Sequence, residues 1–228
     1  MNKLLSFKKI TLILATILAV QLGGCATTTS DSVSGVKRSQ FMLLPASYIT
    51  NMSSQAYTQT LNEAQKKQTL NADKTQVERV RKISNRLISQ VGVFRKDAAQ
   101  WKWEVNVEKN DQLNAYCMPG GKIMVYSGLI EKLNATDDEL AAVIGHEIAH
   151  ALREHGRERM SQAYAQEFGL QALAAILTKG TSSAVGNASM QAASMGSQLF
   201  FALPNSREQE READKIGLEL AARAAYNP

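Results

Sequence analysis

His146, Glu147 and His150 have the types and the spacing to hold a metal ion and to work beside it. They sit in Ala141-Ala-Val-Ile-Gly-His-Glu-Ile-Ala-His-Ala-Leu152 and spell H-E-x-x-H. On an α-helix, histidines four positions apart lie one turn apart on one side, so both imidazoles can share a cation. Glu147 lies about 60–100° round the helix from each, beside the cation rather than in line with it. That is the place for a general base acting on a water that the metal activates. Imidazole ligands in a hydrolytic site suit zinc, one Zn2+ per chain, which lowers the pKa of a bound water from about 15.7 to about 7.

A helix must carry this triplet. Thr136-Asp-Asp-Glu139 reads as a capping box, with acids suited to a helix N-terminus. At about 100° per residue, Leu140, Ile144, Ile148, Ala151 and His155 fall on one apolar arc. His146 and His150 fall on roughly the opposite arc, bordered by Ala142 and Ala149, small residues that leave room for a second element. At that repeat the third histidine, His155, points roughly 180° away from the pair. It also misses the pattern H-E-x-x-H-x-x-G-x-x-H, where Gly156 stands at the last ligand position. His155 is therefore expected to be structural, and the third ligand to be a carboxylate from elsewhere.

Pro204-Asn-Ser206 reads as the opening of a final helix that carries Glu208, Glu210, Glu212 and Asp214. Glu210, Asp214, Gly217 and Ala221 share one face, while Glu208 and Glu212 face the other way. The face bearing Glu210 is lined with Gly and Ala and matches the small-residue face of the H-E-x-x-H helix. Glu210 is assigned as third ligand, with Glu167 as the alternative. Asp214, one turn on, is placed to orient a ligand histidine. The plain alternative is a charged, exposed helix start.

The remaining elements predict an α+β fold, predominantly α-helical, with a small β-sheet beside the H-E-x-x-H helix. Residues 45–67 and 74–91 read as helices, the second with Val77, Val80, Ile83, Leu87 and Val91 at helical spacing. Trp101 to Val107 alternates as a strand does. Leu113–Met118 and Lys122–Tyr126 flank Pro119-Gly-Gly121 as a hairpin. Such a sheet edge either binds substrate as an added strand or is a plain structural hairpin. Met160 to Leu177 reads as another helix, Lys179 to Asn187 as a loop with Gly180–Asn187 a candidate flap, and Met190 to Phe201 as an apolar stretch suited to core packing, a substrate groove or a membrane contact.

The first 24 residues carry Lys3, Lys8 and Lys9 and no acid, then an apolar run from Ile10 to Val20 too short for a bilayer, which needs about 20 residues. Leu22-Gly-Gly-Cys25 resembles a bacterial lipobox. The resemblance implies that residues 1–24 are a signal peptide and that Cys25 carries the lipid. Ala26, in place of Asp, implies an outer-membrane, lipid-anchored location facing the periplasm. Residues 25–40 are small and polar and read as a flexible tether to a domain over 41–228. Cys117 is then left without a partner and is expected to be buried. The formal charge of +5 falls to about +2 without the leader lysines, so no nucleic-acid partner is inferred.

Val143-Ile-Gly-His-Glu-Ile-Ala-His150 and Ser206-Arg-Glu-Gln-Glu-Arg-Glu-Ala-Asp214, with Asn114-Ala-Tyr and Pro119-Gly-Gly-Lys-Ile-Met-Val-Tyr-Ser-Gly128, resemble the gluzincin family that includes HtpX, the CAAX prenyl proteases and the periplasmic proteases BepA, LoiP and YcaL. The resemblance spans about Phe41 to Pro228. It implies zinc on His146, His150 and Glu210, Glu147 as the base, Asp214 behind the ligands, and Asn114, Ala115 and Tyr116 at the substrate strand. It implies a zinc endopeptidase of the cell envelope acting on unfolded or misassembled envelope proteins. The alternative is a chaperone or assembly factor for outer-membrane proteins, working with their assembly machinery and cutting rarely. Relatives continue past the position of Pro228 with a His-Pro segment, so the domain is expected to lack its C-terminal end. Oxyanion stabilisation is then left to zinc alone, to Arg207 or to a tyrosine.

Overall fold

A computed structural model describes residues 25–30, 32–178 and 203–228. The readings of residues 1–24, of the Lys179–Asn187 loop and of Met190–Phe201 lie outside the described residues. Among the described residues, no helix is long and apolar enough to cross a membrane.

Helix α1 (Ala46–Lys66) follows Pro45 at its N-cap, and α2 (Lys74–Ile88) starts where the Asp73 side chain accepts from the amides of Thr75 and Gln76. The apolar stripe of α2 is buried as its period requires: Val80, Ile83 and Leu87 are fully enclosed. Strands β3 (Glu104–Glu108), β4 (Ala115–Met118) and β5 (Lys122–Tyr126) form one sheet in the order β3-β5-β4. The hairpin pairs β4 with β5 antiparallel, while β3 pairs with β5 in parallel. Gly121 closes the turn at φ +82°, with the Trp103 ring where a Cβ would project. β4 is thereby an edge strand.

A short helix, α3 (Ser127–Glu131), leads to α4 (Asp137–Leu152), which carries the H-E-x-x-H residues. Thr136 and Glu139 form the expected capping box, Thr136 N donating to Glu139 Oε2 at 2.8 Å. Leu140, Ile144 and Ile148 fill the core under the sheet. The helix stops at Leu152, because Glu154 turns left-handed at φ +52°, and α5 (His155–Thr178) starts in a new direction. His155 therefore does not lie on the far side of α4. The last helix, α6 (Arg207–Arg223), is opened by a second capping box between Ser206 and Gln209 and packs along α4.

The stretch expected to be a flexible tether is packed instead. Strands β1 (Cys25–Ala26) and β2 (Gln40–Phe41) pair antiparallel. Gln40 is fully buried and donates to the Arg153 carbonyl at 2.7 Å, and Arg38 reaches both Glu158 and Glu212. Composition alone misses this, since short polar residues satisfy buried hydrogen bonds as readily as they form linkers.

Candidate metal centre

Two glycines set the crossing of α4 and α6. A Cβ on Gly145 would stand 3.0 Å from the Gly217 carbonyl oxygen, so the helices meet backbone to backbone. With Ala149, Ala213 and Ala221 fully buried at the same interface, the small-residue faces read from the sequence do meet.

That approach brings His146, His150 and Glu210 into one group. The two Nε2 atoms are 2.9 Å apart, and Glu210 stands 3.3 Å from His146 Nε2 and 3.5 Å from His150 Nε2. Tetrahedral zinc with bonds of about 2.0–2.1 Å needs ligand-to-ligand edges of about 3.3 Å. Two imidazole nitrogens and a carboxylate oxygen at these spacings fit zinc in both chemistry and size. Glu167 is exposed on α5 and is not part of the group.

Each histidine is held from behind. His146 Nδ1 lies 2.9 Å from Asp214 Oδ1, and His150 Nδ1 lies 2.8 Å from His155 Nδ1. His155 Nε2 in turn meets Glu212 Oε2 at 2.9 Å. Glu212 stays out of the ligand group, as its face of the helix implies, but it is not on an exposed face. It is buried, and Arg153, itself fully enclosed, and Arg38 both pair with it. The signal was available, for Glu212 falls on the arc of Gln209, Ala213, Ile216 and Leu220, which are buried. A carboxylate on an apolar arc calls for a cation.

The electrostatics suit the expected roles. Burial first, then the neighbouring His155 and His146, push the His150 imidazole down to about 2, so it is neutral and available as a donor. Burial, and next the charge of Glu210, push the Glu147 carboxyl up to about 8 in the protein alone, with Arg159 working against them. A group so poised answers to any added positive charge. Burial first, and then the charge of Glu147, push the Cys117 thiol of β4 up. Cys117 is buried, as expected of a thiol without a partner.

Arg159 escaped the sequence reading. It is half-buried, acts on Glu210 and Glu147, and donates through Nη1 to Asn205, whose Nδ2 lies 3.5 Å from His150 Nε2. Its Nε is buried with no hydrogen-bond partner among the described residues. Arg207, named earlier for the oxyanion, is exposed at the start of α6. Arg159 is the described cation beside the metal group.

Asn114 precedes β4, Ala115 and Tyr116 begin it, and their backbones divide into two sets. Tyr126 N donates to the Asn114 carbonyl at 3.0 Å, so Asn114 and, by alternation, Tyr116 turn their main-chain groups toward β5. Ala115 and Cys117 therefore present theirs at the sheet edge, where no strand pairs with β4 among the described residues.

A peptide-hydrolysing metal site needs a donor set of this kind with a carboxylic base alongside, and the chain has the form of a metallopeptidase domain. Residues 74–228, more than half of its length, match the description "Peptidase family M48", and the chain belongs to that family. It is 37% identical over 126 residues to "Mitochondrial metalloendopeptidase OMA1" of Arabidopsis thaliana, covering 55% of this chain and 24% of the relative. It is 34% identical over 129 residues to the OMA1 metalloendopeptidase of Saccharomyces cerevisiae, covering 56% and 34%. The "Beta-barrel assembly-enhancing protease" of Escherichia coli is 29% identical over 121 residues, covering 52% and 24%. The chain thus spans well under two thirds of these relatives' own length. The matches correct one expectation. Relatives at 37% and 34% identity carry a mitochondrial name, so the outer-membrane, lipid-anchored location drawn from the leader is overturned.

Proposed function

We propose that the chain is a zinc-dependent endopeptidase that cuts extended segments of unfolded or misassembled proteins. The observation that carries this reading is the convergence of His146 Nε2, His150 Nε2 and a Glu210 oxygen beside the buried carboxyl of Glu147. His146, His150 and Glu210 would hold the ion. When bound, zinc polarises the scissile carbonyl and makes water a nucleophile near neutral pH. Glu147 takes the proton of the attacking water and hands it to the leaving amine. Arg159 adds positive charge where the carbonyl oxygen becomes negative. Ala115 and Cys117 offer the edge of β4 to an extended substrate, which explains a preference for unfolded chains.

The test compares the full chain with Glu147→Gln on a reduced, carboxymethylated protein, with zinc content measured in parallel. Cleavage that disappears in the variant while zinc stays at one per chain supports the reading. A wild-type chain without zinc, or a variant that cuts as well as wild type, overturns it. The assembly-enhancing relative favours a second reading, in which the chain holds protein intermediates and cuts rarely. A cellular function that survives Glu147→Gln selects that reading.

A further inference from the structure

Behind His150 stands a support of a different kind from the one behind His146. His146 is met directly by Asp214, whose side chain is 64% exposed. His150 is met by a second imidazole. The His150 and His155 rings are 4.9 Å apart and inclined at 72°, with the two Nδ1 atoms at 2.8 Å. His155 is fully buried, and its other nitrogen meets Glu212. Glu212 accepts from Arg153 Nε at 3.2 Å and Nη2 at 3.1 Å, and from Arg38 Nε at 2.8 Å.

Counting protons fixes the direction of this chain. A nitrogen-to-nitrogen contact needs one hydrogen between the two atoms. His150 turns Nε2 toward His146 and Glu210, so its hydrogen is on Nδ1. His155 Nδ1 must then accept, which puts the His155 hydrogen on Nε2, facing Glu212. Glu212 accepts it as a carboxylate because two guanidinium groups point at the same side chain. The opposite tautomer of His155 would set N–H against N–H and leave the buried Nε2 lone pair facing a carboxylate.

We propose that His155 is a positioning residue for the ligand His150, and that Glu212, locked by Arg153 and Arg38, sets the His155 tautomer. The inference rests on the reading of His146, His150 and Glu210 as zinc ligands. It extends the metal site through two further layers and ends at Arg38, in the segment between β1 and β2.

The experiment measures zinc affinity of the full chain by competition with a chromogenic chelator. His155→Phe keeps a ring in place and removes the acceptor; His155→Gln restores an acceptor and a donor at similar spacing. Removing an outer partner of a ligand histidine typically costs 10–100-fold in metal affinity, and that loss is expected for Phe, with recovery of most of it by Gln. Long-range nitrogen–proton NMR of the zinc-loaded wild type is expected to find hydrogen on Nδ1 of His150 and on Nε2 of His155. A folded Phe variant with affinity within about twofold of wild type, well short of that range, overturns the proposal, as does hydrogen on Nδ1 of His155. If Phe prevents folding, the Gln variant and the wild-type tautomers still decide. A wild-type chain that binds no zinc removes the ligand reading and this role with it, a result distinct from tight wild-type binding unaffected at position 155.

Discussion

Gly217 lies against the backbone of His146: a Cβ at position 217 would stand 2.8 Å from the His146 amide nitrogen and 2.9 Å from its Cα. The obstacle is main chain, so no rotamer change relieves it. The same contact sets how far Glu210 stands from the imidazoles, since Glu210 and Gly217 share a face of α6. Gly217→Ala should push the helices apart and lower stability by about 1–3 kcal/mol. It should also weaken zinc binding while the fold persists. Denaturant unfolding and chelator competition on one sample check both. Zinc affinity equal to wild type would show that the crossing does not set the ligand spacing.

The edge of β4 separates binding from folding. Ala115 directs its N–H outward and Tyr116 directs its own at Met124. Proline removes one N–H and is tolerated at sheet edges only where that group is unpaired. Ala115→Pro should therefore leave the fold and zinc content intact and raise KM for an extended peptide. Tyr116→Pro, one residue on, should break the hairpin and lower the melting temperature. Equal effects of the two on melting would mean that the edge is not arranged as the register implies.

The α4 residues were legible from the sequence because one periodicity carried them. The Thr136 cap, the apolar arc and the paired histidines all follow the 3.6-residue repeat, and so did the Glu210–Asp214–Gly217 face of α6. The same repeat misplaces His155, because it runs on past Leu152, where the helix stops. Nothing in Arg153-Glu-His announces the left-handed Glu154, which a glycine would have signalled. The β3–β5 parallel pairing could not be read, since periodicity marks strands but not their neighbours. Arg38, Arg153 and Gln40 are polar residues held by partners more than a hundred positions away. Composition classes Arg38 and Gln40 as linker, and no local pattern contradicts that.

Arg38 ties that segment to the metal domain through carboxylates that are nearly dry. Its Nη1 lies 2.5 Å from Glu158, whose side chain is 2% exposed, and its Nε 2.8 Å from Glu212 at 4%. Arg38→Met keeps the packing of the stem and deletes the charge, leaving Arg153 as the cation on Glu212 and the amides of Gln40 and Gln209 on Glu158. Breaking a buried pair from one side is costly, and a loss of about 3 kcal/mol is expected in denaturant unfolding. Deleting residues 1–40 should cause a comparable loss. A deletion as stable as the full chain would mean that the segment only rests on the surface.

Two histidines and Glu147 should act on the stability of the zinc-free chain in opposite directions. Stability rises with pH wherever the unfolded chain binds more protons. The His150 imidazole is pushed down to about 2 and His155 is also held below its ordinary 6.5, burial being the largest cause for both. The unfolded chain takes up protons below 6.5 that the folded one refuses, so these two groups remove stability as the pH falls through that value. Glu212 is held at about 2 and Glu158 below its ordinary 4.5; burial opposes this, and hydrogen bonds from His155 and Arg38, and from Arg38, Gln209 and Gln40, outweigh it. Their contribution is present above 4.5 and is lost as the pH falls from there toward the folded values. Glu147 runs the other way. Its folded carboxyl is raised to about 8 from 4.5, so between those values the unfolded chain gives up a proton that the folded chain keeps. Stability then declines with rising pH, by about 1.4 kcal/mol per pH unit for one proton. Below 6.5 the two histidines work against Glu147; above it Glu147 acts without them. Thermal melts of the chelator-treated chain should thus fall from about pH 6.5 toward pH 8. Glu147→Gln should remove the alkaline fall and leave the acid limb in place. Zinc should also remove it, since a bound cation stabilises the ionised carboxylate. An alkaline decline that persists in Glu147→Gln would assign it to another group and leave Glu147 ionised in the metal-free site.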